Sequence, residues 1–529
     1  MGQAEILIAG LLVAIAGLST LARYLSLPYP IVLVIGGALL GFVPGLPEVE
    51  LEPEIVLVVF LPPLLYGSSI YSNFADLRDS LRGLTLNTVA LVLVTMCAVG
   101  VAAHLLIPGM SWQAAFVLGA IVSPTDPLAA ATIMRRLDAP RRLVSNIEGE
   151  GLFNDATALV AYRVAVAAVV AGSFSLAEAG LEFVLGAVAG ILIGLLVGFT
   201  VAEIRRRTTD AQVSVTLSLL TGYAAFVPAD ALGASGVLAT VSAGIYMGIR
   251  APRILPARAR LQGYFVWDIV GFIVNAILFV LIGLQLPTIV EGLDGYSTGE
   301  LALYGFLVSV AVAGSRLIWF FTVPYLVRFL DRRPHQRARR IDARSRLILA
   351  WSGMRGPVSL AVALAIPLTI DNGDAFPNRD LIIFLTFSVI FFTLVVQGLS
   401  LPYLLRRLKV TDGGEEESEE VRARILASEA ALEEIAALHD EDWAREDSLD
   451  RLQRFYEYRN RRFSALAGDG EVDDEDYEDR SLQYQQVIQR ILGAQREALL
   501  DMRGEGWLSN EAMNRIIREL DLEEERLEI

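Results

Sequence analysis

Between residues 4 and 407 the chain is a succession of about thirteen long apolar runs, and this repetition constrains the fold more than any other feature. Crossing a bilayer takes about 20 apolar residues in helical form. Lipid offers no partner to backbone N–H and C=O groups, so each run must satisfy its own backbone as a helix. The approximate spans are 4–22, 29–43, 54–70, 84–107, 113–133, 142–170, 178–202, 213–229, 235–249, 264–287, 299–329, 346–369 and 380–405. The loops between them alternate in charge. Arginines follow the odd-numbered runs: Arg23, then Arg78 and Arg82, then Arg135, Arg136, Arg141 and Arg142, then Arg205, Arg206 and Arg207, then Arg250, Arg253, Arg258 and Arg260, and finally the stretch Arg332–Arg340. Loops 44–53, 108–112, 171–177, 230–234, 288–298 and 370–379 carry almost none. Basic loops stay in the cytoplasm. The expectation is an all-α, multi-pass protein of the inner or plasma membrane, with the N-terminus outside and the C-terminus in the cytoplasm. The opening residues Met1–Glu5 lack the basic stretch of a cleavable signal, so the first run reads as a retained helix.

The chain then changes character. Residues 411–529 hold 34 acidic residues against 15 arginines, whereas the other 410 residues hold 26 acids and 29 bases. The acidity therefore belongs to the tail and gives no reason to expect nucleic acid as a partner. Apolar residues at helical spacing (Ile425, Leu432, Ile435, Leu438) start a run of helical patterns, continued over about 445–466, 477–503 and 509–524. Gly468–Gly470 and Gly504–Gly506 mark breaks between them. The division expected is a transmembrane domain over 1–410 and a cytoplasmic acidic helical domain over 411–529. The tail is either a solvated appendage that aids assembly or a regulatory element that binds an unidentified regulator. A single cysteine, Cys97, excludes a disulfide framework and a thiolate cluster.

Charges inside a span are costly, so those retained there mark function. Asp126 lies mid-run in Ser123-Pro124-Thr125-Asp126-Pro127. Two prolines three apart remove two backbone donors and disfavour helical geometry at Ser123 and Asp126, so the fifth segment should unwind there. The unwound stretch exposes carbonyls and two half-helix ends of opposite partial charge, and Asp126 is placed to balance the positive one. The counterpart is Gly353-Met354-Arg355-Gly356-Pro357 in the twelfth segment, where Arg355 offsets a negative half-helix end. The two breaks lie seven segments apart, as two inverted six-helix repeats joined by a linking helix would place them.

A second acidic cluster, Glu148-Gly149-Glu150-Gly151-Leu152-Phe153-Asn154-Asp155, occupies the sixth segment. Five residues place Glu150 about 140° around the axis from Asp155, so the two have different tasks. Glu148 nearly shares the face of Asp155, about 10 Å along the axis. A hard cation wants oxygen ligands, which Asp155, Ser123 and Thr125 can supply. The histidines His104, His335 and His439 lie elsewhere, which argues against a transition-metal site here.

Together these motifs resemble the monovalent cation:proton antiporter-1 family of sodium/proton exchangers. Leu61-Pro62-Pro63-Leu64-Leu65, Ser235-Gly236-Val237-Leu238-Ala239 and Leu278–Leu284 add to the resemblance, which covers about residues 5–408 and not the tail. It implies a homodimer in membrane lipid, with a core domain holding crossed broken helices that moves against an interface domain. Asp155 then matches the aspartate that binds cation or proton. Asn154 stands where electrogenic relatives carry a second aspartate. Thr125 and Asp126 match the broken-helix pair, and Glu150 with Arg355 matches a buried acid–base pair linking the sixth and twelfth segments. No cofactor is implied beyond the transported ions. Two positions depart from the pattern: Gly67 stands where many relatives have Glu, and Gly151 where many have Ser. Sodium/proton exchange, one for one, is the activity expected. Losing two oxygens makes potassium/proton exchange the alternative, and a passive channel or uniporter is the reading from another class. A membrane sensor signalling through the tail is a further one.

Overall fold

The computed structural model describes residues 3–25, 27–44, 56–72, 83–170, 176–293, 295–330, 341–410, 415–439, 441, 443–467, 474–504 and 508–525. Apart from one isolated bridge between Thr369 and Ala375, every element among them is helical. Two compact units form, Met1–Thr411 and Asp412–Ile529.

Each of the thirteen apolar runs coincides with a helix or a pair of half-helices. Among the described residues, seven helices are long and apolar enough to cross a membrane: Gly83–Leu106, Arg141–Val170, Phe183–Arg207, Ala211–Ala231, Ala257–Glu291, Thr298–Val327 and Arg379–Leu408. Shorter apolar helices cover Gly10–Tyr24, Tyr29–Gly41, Val58–Ile70 and Trp112–Ile121. The ninth run is the Gly236–Ile254 helix. Arg78, Arg82 and the Arg332–Arg340 stretch lie outside the described residues, so that part of the loop-charge pattern has no structural counterpart here.

Without a hydrophobic force between helices in lipid, close approach of backbones holds them together. The Leu176–Arg207 helix shows how the sequence arranges this. Gly190, Gly194 and Gly198 recur every fourth residue, on one face, and lie against the backbone of Ser235, Ala239 and Ala243. A larger apolar core gathers the helices that surround the two interrupted spans. In the second unit the helices are Glu415–Leu438, Glu446–Leu466, Asp474–Gly504 and Asn510–Glu525, close to the patterns read from the sequence. Leu492, Leu499, Met513 and Leu520 form a small core there. The Gly468–Gly470 break lies outside the described residues.

Both interrupted spans break where the prolines and glycines dictate. The fifth is split into Trp112–Ile121 and Pro127–Arg136, the twelfth into Ala343–Trp351 and Pro357–Leu364. The unwound stretches meet: the Asp126 N–H donates to the Met354 carbonyl at 2.8 Å. This contact requires glycine at position 356, because a Cβ there would run into the Asp126 side chain. Gly356→Ala should therefore cost about 1–3 kcal/mol of folded stability, read as a lower thermal midpoint of the purified protein in detergent. A wild-type midpoint would mean that the two stretches separate freely.

Candidate functional site

Four half-helix ends converge at the crossing, and each exposes backbone groups that lipid cannot satisfy. The sequence supplies three charged side chains to these four ends. Asp126 has extended backbone geometry, as expected of a residue before proline, and its Oδ1 accepts the Leu128 N–H at 2.9 Å. It caps the positive end of Pro127–Arg136, as the sequence implies. Its position against Gly356 also sets the carboxylate beside the start of Pro357–Leu364, which has no side-chain cap of its own. One carboxylate thus faces two positive ends.

The negative ends are held by two buried arginines. Arg355, fully buried, donates through Nη1 to the Ser123 carbonyl at 2.7 Å, just past the end of Trp112–Ile121. Its backbone N–H donates to Thr393 Oγ1 at 3.0 Å, on a π-helical turn in the last span. Arg316, from the middle of the Thr298–Leu330 helix, reaches the end of Ala343–Trp351. There its Nη2 donates to the Leu349 carbonyl at 3.0 Å and its Nε to the Ala350 carbonyl at 3.3 Å.

This corrects the pairing of Glu150 with Arg355. The carboxylate of Glu150 forms its ion pair with Arg316, both groups being buried. Arg355 turns instead toward the carbonyl of the other broken span, and among the described residues its Nε and Nη2 have no hydrogen-bond partner. The physical reason is the crossing itself. Each arginine is drawn to the free carbonyls at a helix end, and the acid goes to the arginine that the eleventh span brings in. Arg316 was overlooked in the sequence reading. Its signal was available: a base in the middle of an otherwise apolar span is as costly as an acid there.

Thr125 joins the clusters. Its hydroxyl donates to Glu150 Oε1 at 3.1 Å and accepts from Asn154 Nδ2 at 2.7 Å. The result is a continuous line Asn154–Thr125–Glu150–Arg316. Ser123 is also present, its hydroxyl donating to the Ala120 carbonyl at 2.8 Å. Glu148 stands apart, half-buried and paired with the exposed Arg135.

Asp155 differs from all of these. Its side chain is partly exposed, it makes no hydrogen bond or ion pair with any described residue, and it lies close enough to Asp126 for the two carboxylates to repel. Around it, Asp126 Oδ2 and Asn154 Oδ1 are buried oxygens with no hydrogen bond among the described residues. The Thr125 hydroxyl keeps one acceptor lone pair. These are hard oxygen donors of the kind a monovalent or other hard cation takes up. Gly151 and Gly67 add none, and the space a side chain would need is filled: Gly151 lies against the Pro127 ring and Gly67 against the Trp267 indole. Around Asp155 its helix packs on apolar neighbours. Phe153, Ala156 and Leu159 pack with Leu61, Leu65, Phe226 and Val237. Two turns past Asp155, Arg163 pairs with Asp230 at 2.8 Å.

Fold and site together define a multi-pass membrane protein in which two interrupted helices cross beside a free carboxylate. The chain belongs to the sodium/hydrogen exchanger family, a family of transporters, whose transmembrane region it matches over residues 10–407. It is 34% identical to an uncharacterised Na+/H+ exchanger of Mycobacterium tuberculosis, over 99% of this chain and 96% of that one. It is 31% identical to the uncharacterised Na+/H+ exchanger YjcE of Escherichia coli over 98% of this chain and 97% of that one. The sodium, potassium, lithium and rubidium/H+ antiporter of Bacillus pumilus is 33% identical, over 74% of this chain and 60% of that protein. In fold the chain is similar to the sodium proton antiporter MjNhaP1 of Methanocaldococcus jannaschii. That match has a TM-score of 0.59 at 18% identity and covers 77% of this chain and 99% of the other.

Removing the Glu150 carboxylate leaves Arg316 buried and unpaired, which costs about 3–5 kcal/mol. Glu150→Ala should sharply reduce folded yield, measured by monodispersity and thermal midpoint after extraction. The double variant Glu150→Leu with Arg316→Met should recover much of that loss. A Glu150→Ala protein with wild-type stability and altered ion affinity alone would put Glu150 in the ion site instead.

Proposed function

We propose that the chain exchanges a monovalent cation for protons by alternating access, with Asp155 binding one or the other. The observation that carries this reading is the free Asp155 carboxylate. Every other described charged group at the crossing is committed to a helix end or an ion pair, whereas this one has no partner among the described residues and is partly open. Asp126 Oδ2, Asn154 Oδ1, Thr125 and Ser123 supply the further oxygens that a partly dehydrated cation needs. No resident cofactor enters the scheme.

The scheme is competition. With neither ion bound, an uncompensated charge beside Asp126 resists being carried through the apolar seal formed by Phe153, Ala156 and Leu159. Binding of a cation or a proton neutralises Asp155 and permits the movement. Asn154 adds no second titratable charge, so the exchange is one for one and electroneutral. Sodium is the first candidate, in keeping with the names of the relatives. Potassium is the second: Gly67 and Gly151 withhold two oxygens, which favours a larger, less tightly held ion.

The remaining assignments belong to the same reading. The protein works as a homodimer in the plasma membrane, with the N-terminus outside and the arginine-rich loops in the cytoplasm. Residues 411–529 form a cytoplasmic domain, whose acidic helices suit a regulator of basic character.

Asp155→Asn keeps the size of the side chain and removes its titration. In proteoliposomes, sodium- or potassium-driven proton flux should fall to background while the thermal midpoint stays close to wild type. Exchange at the wild-type rate would refute the assignment. A wild-type rate that follows a clamped membrane voltage would contradict one-for-one exchange.

A further inference from the structure

Arg205 lies in the last turn of the Leu176–Arg207 helix, and its surroundings differ from those of its neighbours. Arg206 and Arg207 both donate to Glu203 on the exposed side of that turn. Arg205 turns inward and is buried. It forms no ion pair with any described residue, and its electrostatic partners are the phenols Tyr66 and Tyr71, with no carboxylate among them. A guanidinium stays charged, and a buried charge without a counter-charge is costly.

The groups around it supply only further donors. Its Nε donates to Ser214 Oγ at 3.1 Å. One turn along the Ala211–Ala231 helix, Ser218 Oγ accepts from Trp267 Nε1 at 3.1 Å. Each serine thus accepts a bond, while neither hydroxyl donates to a described residue. Thr216 and Thr221 on the same helix follow the ordinary pattern and donate to carbonyls one turn back. The Tyr66 ring packs on the Trp267 ring, with centroids 5.3 Å apart. Its hydroxyl is buried and has no hydrogen-bond partner among the described residues, and the same holds for Arg205 Nη1. Tyr66, Ser214 and Ser218 are all but fully buried. Four unmet donors from three helices therefore gather around one positive charge.

We propose that this cluster binds one small monovalent anion of the halide class, held by Arg205 Nη1 and the hydroxyls of Tyr66, Ser214 and Ser218. The surplus of donors carries the assignment, because buried polar groups without partners call for a bound water or ion. A water accepts two hydrogen bonds and brings no charge. A halide accepts all four and neutralises the guanidinium, and hydrogen bonds between charged partners are the stronger kind. With Trp267, the cluster draws on four helices, Leu61–Ile70, Leu176–Arg207, Ala211–Ala231 and Ala257–Leu284. None of them carries Asp155 or an interrupted stretch. The anion is a counter-ion of the scaffold that ties these helices together, and the site stands independently of the exchange cycle.

The test uses the full-length protein in detergent at fixed pH and ionic strength, with sodium gluconate replaced stepwise by sodium chloride or sodium bromide. The wild-type thermal midpoint should rise and saturate, by about 2–4 °C, alike for the two halides. Tyr66→Phe removes one donor and keeps the ring, and should raise the half-saturating chloride concentration about three- to tenfold. Arg205→Leu removes the charge and should abolish the dependence, whereas Asp155→Asn should keep it in full. A wild-type midpoint indifferent to chloride would leave a water in the cluster and overturn the proposal. So would an unchanged half-saturation in Tyr66→Phe, a reading that stands even where Arg205→Leu fails to fold. Loss of the dependence in Asp155→Asn would move the anion effect to the crossing and overturn it as well. None of these readings uses exchange activity, so failure of the transport reading and failure of the anion site are told apart.

Discussion

The structure depends on neutralising half-helix ends in the middle of a membrane. A continuous helix hides its backbone; two interrupted ones expose four ends where no water is guaranteed. Proline and glycine make the breaks, and the charged residues answer them. Asp126 stands at two positive ends, Arg355 at one negative end and Arg316 at the other. Glu150 balances Arg316. Removing any of these strands a partial or full charge in a medium of low dielectric.

That arrangement explains why the site has the composition it has. The expensive charges are mostly structural, and they are tolerated because they are satisfied: each is held by a carbonyl, an N–H or a counter-ion. Asp155 is left over, on a continuous helix that needs no cap at that point. It is held beside the crossing by the packing of Gly151 against Pro127 and by the Asn154–Thr125 hydrogen bond. A rigid scaffold and one uncommitted carboxylate form a division of labour that suits reversible ion binding.

Much of this was legible in the residues themselves. The thirteen runs follow from apolar length, and both breaks follow from Pro124, Pro127, Gly353, Gly356 and Pro357. Local rules are strong here because lipid leaves the backbone few alternatives. The cap made by Asp126 was legible for the same reason. The partner of Glu150 was not. A long guanidinium can reach either of two crossing backbones, and which carbonyl it finds depends on a register that only the packed helices define. Arg316 supplies the lesson: bases buried within spans merit the same weight as acids.

The account stands on Asp155 exchanging a proton for a cation at one site. The most direct measurement is proton release from the purified protein in weakly buffered detergent solution as sodium or potassium is added. Linkage requires that a cation competing for a protonated carboxylate displace its proton. The account predicts up to about one proton released per cation bound, and none from Asp155→Asn. Release that persists in Asp155→Asn, or cation binding to the wild type with no proton released across the pH range of activity, would contradict it.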